Sequence, residues 1–225
     1  MCARYIAFTE HVSPVVVADL FGLVEVPALS PRYNVAPSQL VPVVGAKPDG
    51  RRGMSFFKWG FVPNWANDTT GPKPVNAKAE TVAQSVLFGD SLRKRRCLVP
   101  ADGFYEWAKA GYGRKRPFHF SLWDGGPFAF AGIWESWQGA GWNTLETFAV
   151  LTTEANELVR PAHDRMPVIV LPGRYGLWLD PAVQDPGELA PLLRPYPADA
   201  MRAVPVGPRV NSPHNDGPEC LEPAA

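Results

Sequence analysis

The chain has 225 residues, 46% of them hydrophobic, and its 22 Lys and Arg balance its 22 Asp and Glu. This length and apolar content allow one large folded domain, and the zero net charge argues against a protein that coats nucleic acid without specificity. Because no apolar run reaches about 18 residues and no signal-peptide pattern opens the chain, we expect a cytoplasmic protein without a membrane partner.

Short apolar runs alternate with turn residues along the chain, and its 25 Pro and 20 Gly lie between these runs. Such a pattern predicts strands joined by turns. The predicted strands are Leu40–Val44, Met54–Trp59, Arg96–Pro100, Phe118–Leu122, Phe128–Trp134, Thr147–Thr152 and Val168–Leu171. The predicted helices are Pro14–Gly22, Ala79–Phe88, Glu154–Val159 and Gly173–Leu179. Since no long βαβ alternation is present, we expect one α+β domain over residues 1–225, built on a curved, largely antiparallel sheet.

The N-terminus begins Met1-Cys2-Ala3-Arg4. The initiator Met is normally removed when the second residue is small, which would leave Cys2 with a free α-amine beside its thiol. The α-amine has a reference pKa of about 7.7 to 8.0 and the thiol of about 8.5, so both groups are usable nucleophiles. An aldehyde can form a Schiff base with the amine, and the thiol can then close a thiazolidine ring. The alternative is that cysteine occupies position 2 by chance.

The other cysteines are Cys97 and Cys220, so the chain has three in all and no C-x-x-C pair. Three scattered cysteines are too few for a disulfide framework and lack the spacing of a zinc site. We therefore expect reduced thiols and no metal.

Two ionisable residues occur in motifs that indicate proton transfer. Glu106 lies in Asp102-Gly103-Phe104-Tyr105-Glu106-Trp107, and apolar neighbours would raise its pKa towards that of a general acid or base. His163 precedes the Val168–Leu171 run with charged neighbours and is a candidate proton shuttle. The alternatives are an exposed turn glutamate and a loop histidine without a role.

Aromatic and basic residues occur together in residues 58–65 and 74–81. Aromatic rings can stack on bases while Lys and Arg hold phosphates. The alternatives are that Trp59 packs in the core and that Asn76 caps a helix beginning near Ala79. Residues 1–120 carry 16 basic and 9 acidic residues, and the remainder carries 6 and 13, so a basic face is possible unless the two halves interleave.

In order and spacing, several of these segments resemble the SOS response-associated peptidase (SRAP) family, whose members include abasic-site processing proteins. The resemblance is carried by Met1-Cys2-x-Arg4, Arg32–Pro37, Trp59-Gly60, Asn76-Ala77, Asp102–Trp107 and His163–Pro167. It implies a single α+β domain with a barrel-like β core, a few flanking helices and a positively charged channel for single-stranded DNA that contains abasic sites. No cofactor is expected, and a bacterial member would associate with the nucleoid.

The same resemblance assigns roles to residues. Cys2 would form a thiazolidine with the ring-opened abasic sugar, Asn76 and Glu106 would position the reacting groups, and His163 would assist proton transfer. The residues expected to contact DNA are Arg4, Asn34, Pro37, Trp59, Trp65 and Lys78. The chain departs from the usual pattern at Ala3, where Gly is common, and at Lys78, where Arg is common.

Three activities are consistent with these residues. The first is covalent capture of abasic sites, with strand cleavage by β-elimination as a side activity. The second is a thiol peptidase with Cys2 as the nucleophile. The third is a module that binds single-stranded DNA without covalent chemistry.

Overall fold

The computed structural model describes residues 2–109, 111, 113–139 and 143–224. The strands in this part of the chain are β1 (Tyr5–Ala7), β2 (Arg32–Val35), β3 (Leu40–Ala46), β4 (Arg52–Trp59), β5 (Asn76–Lys78), β6 (Arg96–Ala101), β7 (Gly103–Lys109), β8 (Lys115–Leu122), β9 (Phe128–Gln138), β10 (Thr144–Glu154), β11 (Arg165–Pro167), β12 (Ile169–Val170) and β13 (Met201–Pro205). The α-helices are α1 (Pro14–Phe21), α2 (Gly89–Lys94), α3 (Tyr175–Leu179) and α4 (Pro186–Leu189), and short 3₁₀ turns connect several elements. Among the described residues, no helix has both the length and the apolar character needed to span a bilayer.

A closed barrel forms the centre of the fold. Its strands follow the order β4, β3, β6, β9 and β10, and β10 closes the ring by pairing with β4. All neighbours are antiparallel except β10 and β4. Gly132 of β9 pairs with Cys97 on one side and Val150 on the other, and a Cβ there would lie 2.7 Å from the Cys97 Sγ. Only glycine allows this close approach. The predicted α+β class and barrel-like core are confirmed.

A second sheet, entirely antiparallel, has the strand order β13, β8, β7, β1 and β2. Tyr5 of β1 joins it to the barrel, because its ring contacts Trp59 at 5.3 Å and Phe130 at 5.7 Å, both edge-to-face. Such contacts stabilise beyond the apolar area that they bury. The N-terminal strand is therefore fixed to the barrel immediately after Cys2.

Every predicted strand is confirmed, and so are the first and last predicted helices, which correspond to α1 and to α3 with its preceding turn. The predicted helix over Ala79–Phe88 is wrong, because this segment contains only a 3₁₀ turn at Val82–Gln84 and the helix begins at Gly89. Asn76 is consequently no helix cap and begins β5 instead.

The predicted helix over Glu154–Val159 is also wrong. Threonine is a favoured helix N-cap, yet Thr152 and Thr153, which directly precede the predicted start, lie inside β10, where Thr152 pairs with Pro167 and Thr153 with Met166. The following residues form turns in which the Asn156 side chain accepts from the Val159 N–H. Long-range pairing between strands has overridden a local capping preference.

Candidate active site

Cys2 lies just before β1 and is 1% exposed. Its carbonyl accepts a hydrogen bond of 2.8 Å from Asn76 Nδ2, and its Sγ lies 3.8 Å from the Arg4 carbonyl oxygen. Asn76 is the first residue of β5, and the parallel pairing of β5 with β10 places it opposite Val150. The Oδ1 of Asn76 is buried and has no hydrogen-bond partner among the described residues, so one acceptor beside Cys2 is available.

Glu106 is brought to the same place by the pairing of β7 with β1. Tyr5 pairs with Phe104, and the Tyr105 N–H donates to the Arg4 carbonyl at 3.0 Å, so this antiparallel register carries Glu106 beside the N-terminal residues. Glu106 is 4% exposed, and this burial raises the pKa of its carboxyl to about 7. The alternative of an exposed turn residue is excluded, since Glu106 is a buried strand residue.

Burial also raises the pKa of the Cys2 thiol, and the negative charge of Glu106 raises it further. A thiol with a raised pKa stays protonated at neutral pH and reacts only when a base removes its proton. Glu106 is close enough to influence the Cys2 thiol and has a pKa suited to gaining and losing protons near neutrality.

His163 lies in the turn before β11, with 31% of its side chain exposed. Two groups compete for its Nδ1: the Arg165 N–H at 2.9 Å can only donate to it, whereas Asp164 Oδ1 at 2.8 Å can only accept from it. Burial lowers the pKa of His163, and the charges of Lys115 and Arg165 lower it further. We therefore assign a neutral ring whose Nδ1 accepts from the backbone and whose proton is on Nε2.

The charges of Asp164 and Lys115 act on both Glu106 and His163, so these two candidate residues share an electrostatic environment. Lys115 was not predicted as a site residue. It begins β8, is exposed, and lies in the basic run Arg114-Lys115-Arg116. This basic run lies at the start of the strand that pairs with the Glu106 strand, and it is the feature of the sequence that could have identified Lys115.

Among the residues predicted to contact DNA, Trp65, Lys78 and Pro37 have accessible surface. Trp65 is 64% exposed and, with Leu87, lines an apolar cavity of about 540 Å³. Lys78 is exposed at the end of β5, two residues beyond Asn76, and Pro37 is half-buried in the turn between β2 and β3. Their contact with DNA remains a prediction.

Trp59 does not fit the predicted role, because its side chain is 0% exposed and has no face on which a base could stack. Its indole N–H donates to the Val75 carbonyl at 2.8 Å, so it holds the residue that precedes Asn76. The packing alternative is correct for this residue.

Asn34 is likewise 0% exposed and has no surface to offer DNA. Its side-chain amide lies 2.9 Å from the Ser212 carbonyl and 2.8 Å from the Asn215 carbonyl. Arg4 is half-buried and donates to Asn34 Oδ1 at 3.0 Å and to the Val210 carbonyl at 2.7 Å. Its predicted contact with DNA remains a prediction, since internal hydrogen bonds occupy part of its guanidinium.

Cys2, Cys97 and Cys220 are all free and buried. Within the described ranges, no three or more His, Cys, Asp or Glu side chains are grouped so that they could hold a metal ion. The side chains shown to act on Cys2 are Asn76, which donates to its carbonyl, and Glu106, whose charge acts on its thiol.

Comparison with known proteins shows the family to which this chain belongs. The family model described as SOS response associated peptidase (SRAP) matches residues 1–213. The chain is 39% identical to abasic site processing protein YoqW of Bacillus subtilis (strain 168), with 99% of each chain covered. It is 32% identical to abasic site processing protein HMCES of Gallus gallus over 86% of this chain and 66% of that protein.

Solved structures show the same fold. A crystal structure of a protein from Bacteroides thetaiotaomicron superposes with a TM-score of 0.87 at 25% identity, with both chains fully covered. A phage-related protein from Bordetella bronchiseptica superposes with a TM-score of 0.73 at 25% identity, covering 91% of this chain and 94% of that one. The match over residues 1–213, the similarity to YoqW and the shared fold show that the chain belongs to the SRAP family.

Proposed function

We propose that this protein captures abasic sites in single-stranded DNA by forming a covalent thiazolidine through Cys2, once Met1 has been removed. The observation that carries the proposal is the position of Cys2 between Asn76, which holds its carbonyl, and Glu106, whose charge acts on its thiol. The names of the relatives as abasic site processing proteins support the same substrate.

The first step is attack by the amine. The neutral α-amine of Cys2 adds to C1′ of the ring-opened sugar, and loss of water from the adduct gives an imine. Asn76 Oδ1, buried and available as an acceptor, orients the amine N–H. Glu106 in its protonated form gives the proton with which the water leaves, and the Nε2–H of neutral His163 donates a hydrogen bond to the leaving oxygen.

The second step closes the ring. The imine formed in the first step keeps its N–H proton. The Cys2 sulfur attacks its carbon while the thiol proton passes to the Glu106 carboxylate, which thereby regains the proton that it gave to the leaving water. The net change is the joining of amine, thiol and aldehyde with release of one water molecule. If ring closure fails, the imine permits β-elimination and cleavage of the strand, which accounts for a weak lyase side activity.

Incubating the mature chain with a single-stranded oligonucleotide that carries one abasic site tests this function. We expect a band that survives heating in denaturing gels, and an intact mass equal to protein plus oligonucleotide minus one water. The matched control is the same oligonucleotide after borohydride reduction of its sugar, which keeps the shape of the DNA but has no aldehyde. A complex that heating dissociates would support the non-covalent module, and absence of any complex would leave the peptidase alternative.

Binding of the DNA is expected to depend on exposed basic and aromatic residues of the segments predicted to contact it. Lys78→Ala and Trp65→Ala should weaken binding of single strands, because the first removes a phosphate contact and the second a stacking surface. Lys47→Ala is the matched control. Lys47 is exposed in the turn before β4 begins, whereas Trp65 follows the strand's other end.

With about three to five phosphate contacts, the slope of log affinity against log salt should be modest, about −2 to −3.5. Fluorescence anisotropy across a salt series measures both the affinity and the slope. Equal or tighter binding to intact duplex throughout the series would contradict this mode of binding.

A further inference from the structure

The C-terminal segment, residues 207–222, lies against β2, the edge strand of the second sheet. The carboxylate of Asp216 accepts the backbone N–H groups of Tyr33 and Asn34, each at 2.7 Å, and also pairs with the Arg32 side chain. Two neighbouring N–H groups of an edge strand are thus satisfied by one side chain. The segment covers an edge that would otherwise be open.

The same segment is packed as well as hydrogen-bonded. Val210 and Cys220 are 0% exposed and form an apolar cluster with Ile6, Tyr33 and Tyr105. Ile6 belongs to β1 and Tyr105 to β7, the strand that also carries Glu106. The segment therefore contacts both strands whose pairing brings Cys2 and Glu106 together.

A chain of polar contacts runs from this segment to the N-terminus. The buried amide of Asn34 binds the Ser212 and Asn215 carbonyls on one side, and its Oδ1 accepts from Arg4 on the other. Arg4 also donates to the Val210 carbonyl at 2.7 Å. Arg4 is two residues from Cys2, so the C-terminal segment constrains the nucleophile at short range.

Trp107 contacts both the C-terminal segment and Arg4. Its indole N–H donates to Asn211 Oδ1 at 2.7 Å, and the guanidinium of Arg4 lies 5.9 Å from the centre of its ring. Arg4 is thereby held between Asn34 and an aromatic face.

We propose that residues 207–222 act as a C-terminal latch that positions Cys2 for attack, with Asp216, Asn34 and Arg4 as positioning residues. The inference rests on the proposed function. Once Met1 is removed, Cys2 has no preceding residue, so its place is set by Asn76, by the pairing of β1 and by this latch. A reacting group misplaced by about 1 Å can react about 10²-fold more slowly.

The test is the rate of crosslinking by Asp216→Ala and Asp216→Asn, measured over a range of abasic oligonucleotide concentrations. We expect the rate at saturating DNA to fall about 10- to 10²-fold, because the amine and thiol no longer meet C1′ in the productive geometry. The DNA concentration at half-maximal rate should stay within about twofold of wild type, since Asp216 pairs inside the protein. Glu222→Gln is the matched control, because it neutralises an exposed carboxylate of the same segment.

Thermal melting shows which variants are folded, and Asp216→Asn, which keeps the shape of the side chain, decides the question if Asp216→Ala does not fold. Wild-type rates at saturation in the folded variants would overturn the latch. A raised half-saturation concentration with an unchanged saturating rate would overturn it too, because that result indicates a role in DNA binding. Failure of the wild-type protein to crosslink at all would instead overturn the proposed function.

Discussion

A chain that keeps Met1, or carries a few uncleaved residues before Cys2, is expected to bind abasic DNA without forming a heat-stable crosslink. The preceding residue converts the α-amine into an amide, which is not nucleophilic at neutral pH. The thiol is unchanged, but a thiazolidine needs the nitrogen and the sulfur of one residue to close on the aldehyde carbon. Intact mass before the reaction confirms that the N-terminus is extended, and denaturing gels after the reaction measure the crosslink.

Cys2→Ser is the complementary variant, because it keeps the amine and replaces the sulfur. We expect the imine to form and to be trapped by borohydride, while the heat-stable product is lost since the hydroxyl is a weaker nucleophile. Cys97→Ser is a matched control, since Cys97 is a buried thiol in the barrel strand β6. Normal crosslinking by an extended chain with its blocked Cys2 confirmed by mass would show that another residue is the nucleophile.

Glu106→Gln and His163→Ala are expected to slow capture by about 10²- to 10⁴-fold, the usual contribution of a general acid or base. Both variants retain the amine and thiol of Cys2. Glu106→Gln loses the group that moves the proton, and His163→Ala loses the Nε2–H that donates a hydrogen bond to the leaving oxygen. Glu106→Gln should also divert part of the imine to strand cleavage, because ring closure depends on removal of the thiol proton. Single-turnover gels that resolve crosslinked, intact and cleaved DNA measure all three species.

Glu157→Gln, which neutralises an exposed carboxylate, is the control for the loss of charge. Wild-type rates in folded Glu106→Gln and His163→Ala variants would remove these residues from the mechanism.

The stability of the Glu106→Gln variant distinguishes an effect of this residue on the reaction from an effect on folding. Burial raises the pKa of Glu106 from 4.5 to about 7, so the folded chain holds this proton more tightly than the unfolded chain. The free energy of unfolding should therefore fall as the pH rises from about 4.5 to above 7, by about 3 kcal/mol for this one group.

The glutamine variant lacks this loss and should gain stability relative to wild type across that pH range, although it reacts more slowly. Urea unfolding at several pH values checks the sign. A difference in stability that is independent of pH would contradict the raised pKa of Glu106.

The longer strands could be predicted from the sequence because their apolar and β-branched runs are themselves the core-forming residues. The strands that were not predicted are β1, β2, β5, β7, β11 and β13. Of these, β1, β2, β5 and β13 pair with strands distant in sequence, whereas β7 and β11 pair with a strand adjacent in the chain. β5, for example, has three residues and exists through its pairing with β10. No local pattern encodes such a strand, since its stability comes from the neighbour.

Sequence by itself determined the residues on which the proposed chemistry depends, because Cys2 and the motifs around Asn76, Glu106 and His163 are defined by residue type and order alone. Only the tertiary structure decided which aromatic and polar residues can reach a ligand. Trp59 and Asn34 resemble surface contacts in the sequence, yet both are fully buried, where they hold Val75 and the C-terminal segment. The physical reason is that burial and hydrogen-bond partners arise from contacts between separate segments of the chain, up to 181 residues apart for Asn34 and Asn215, which local composition does not record.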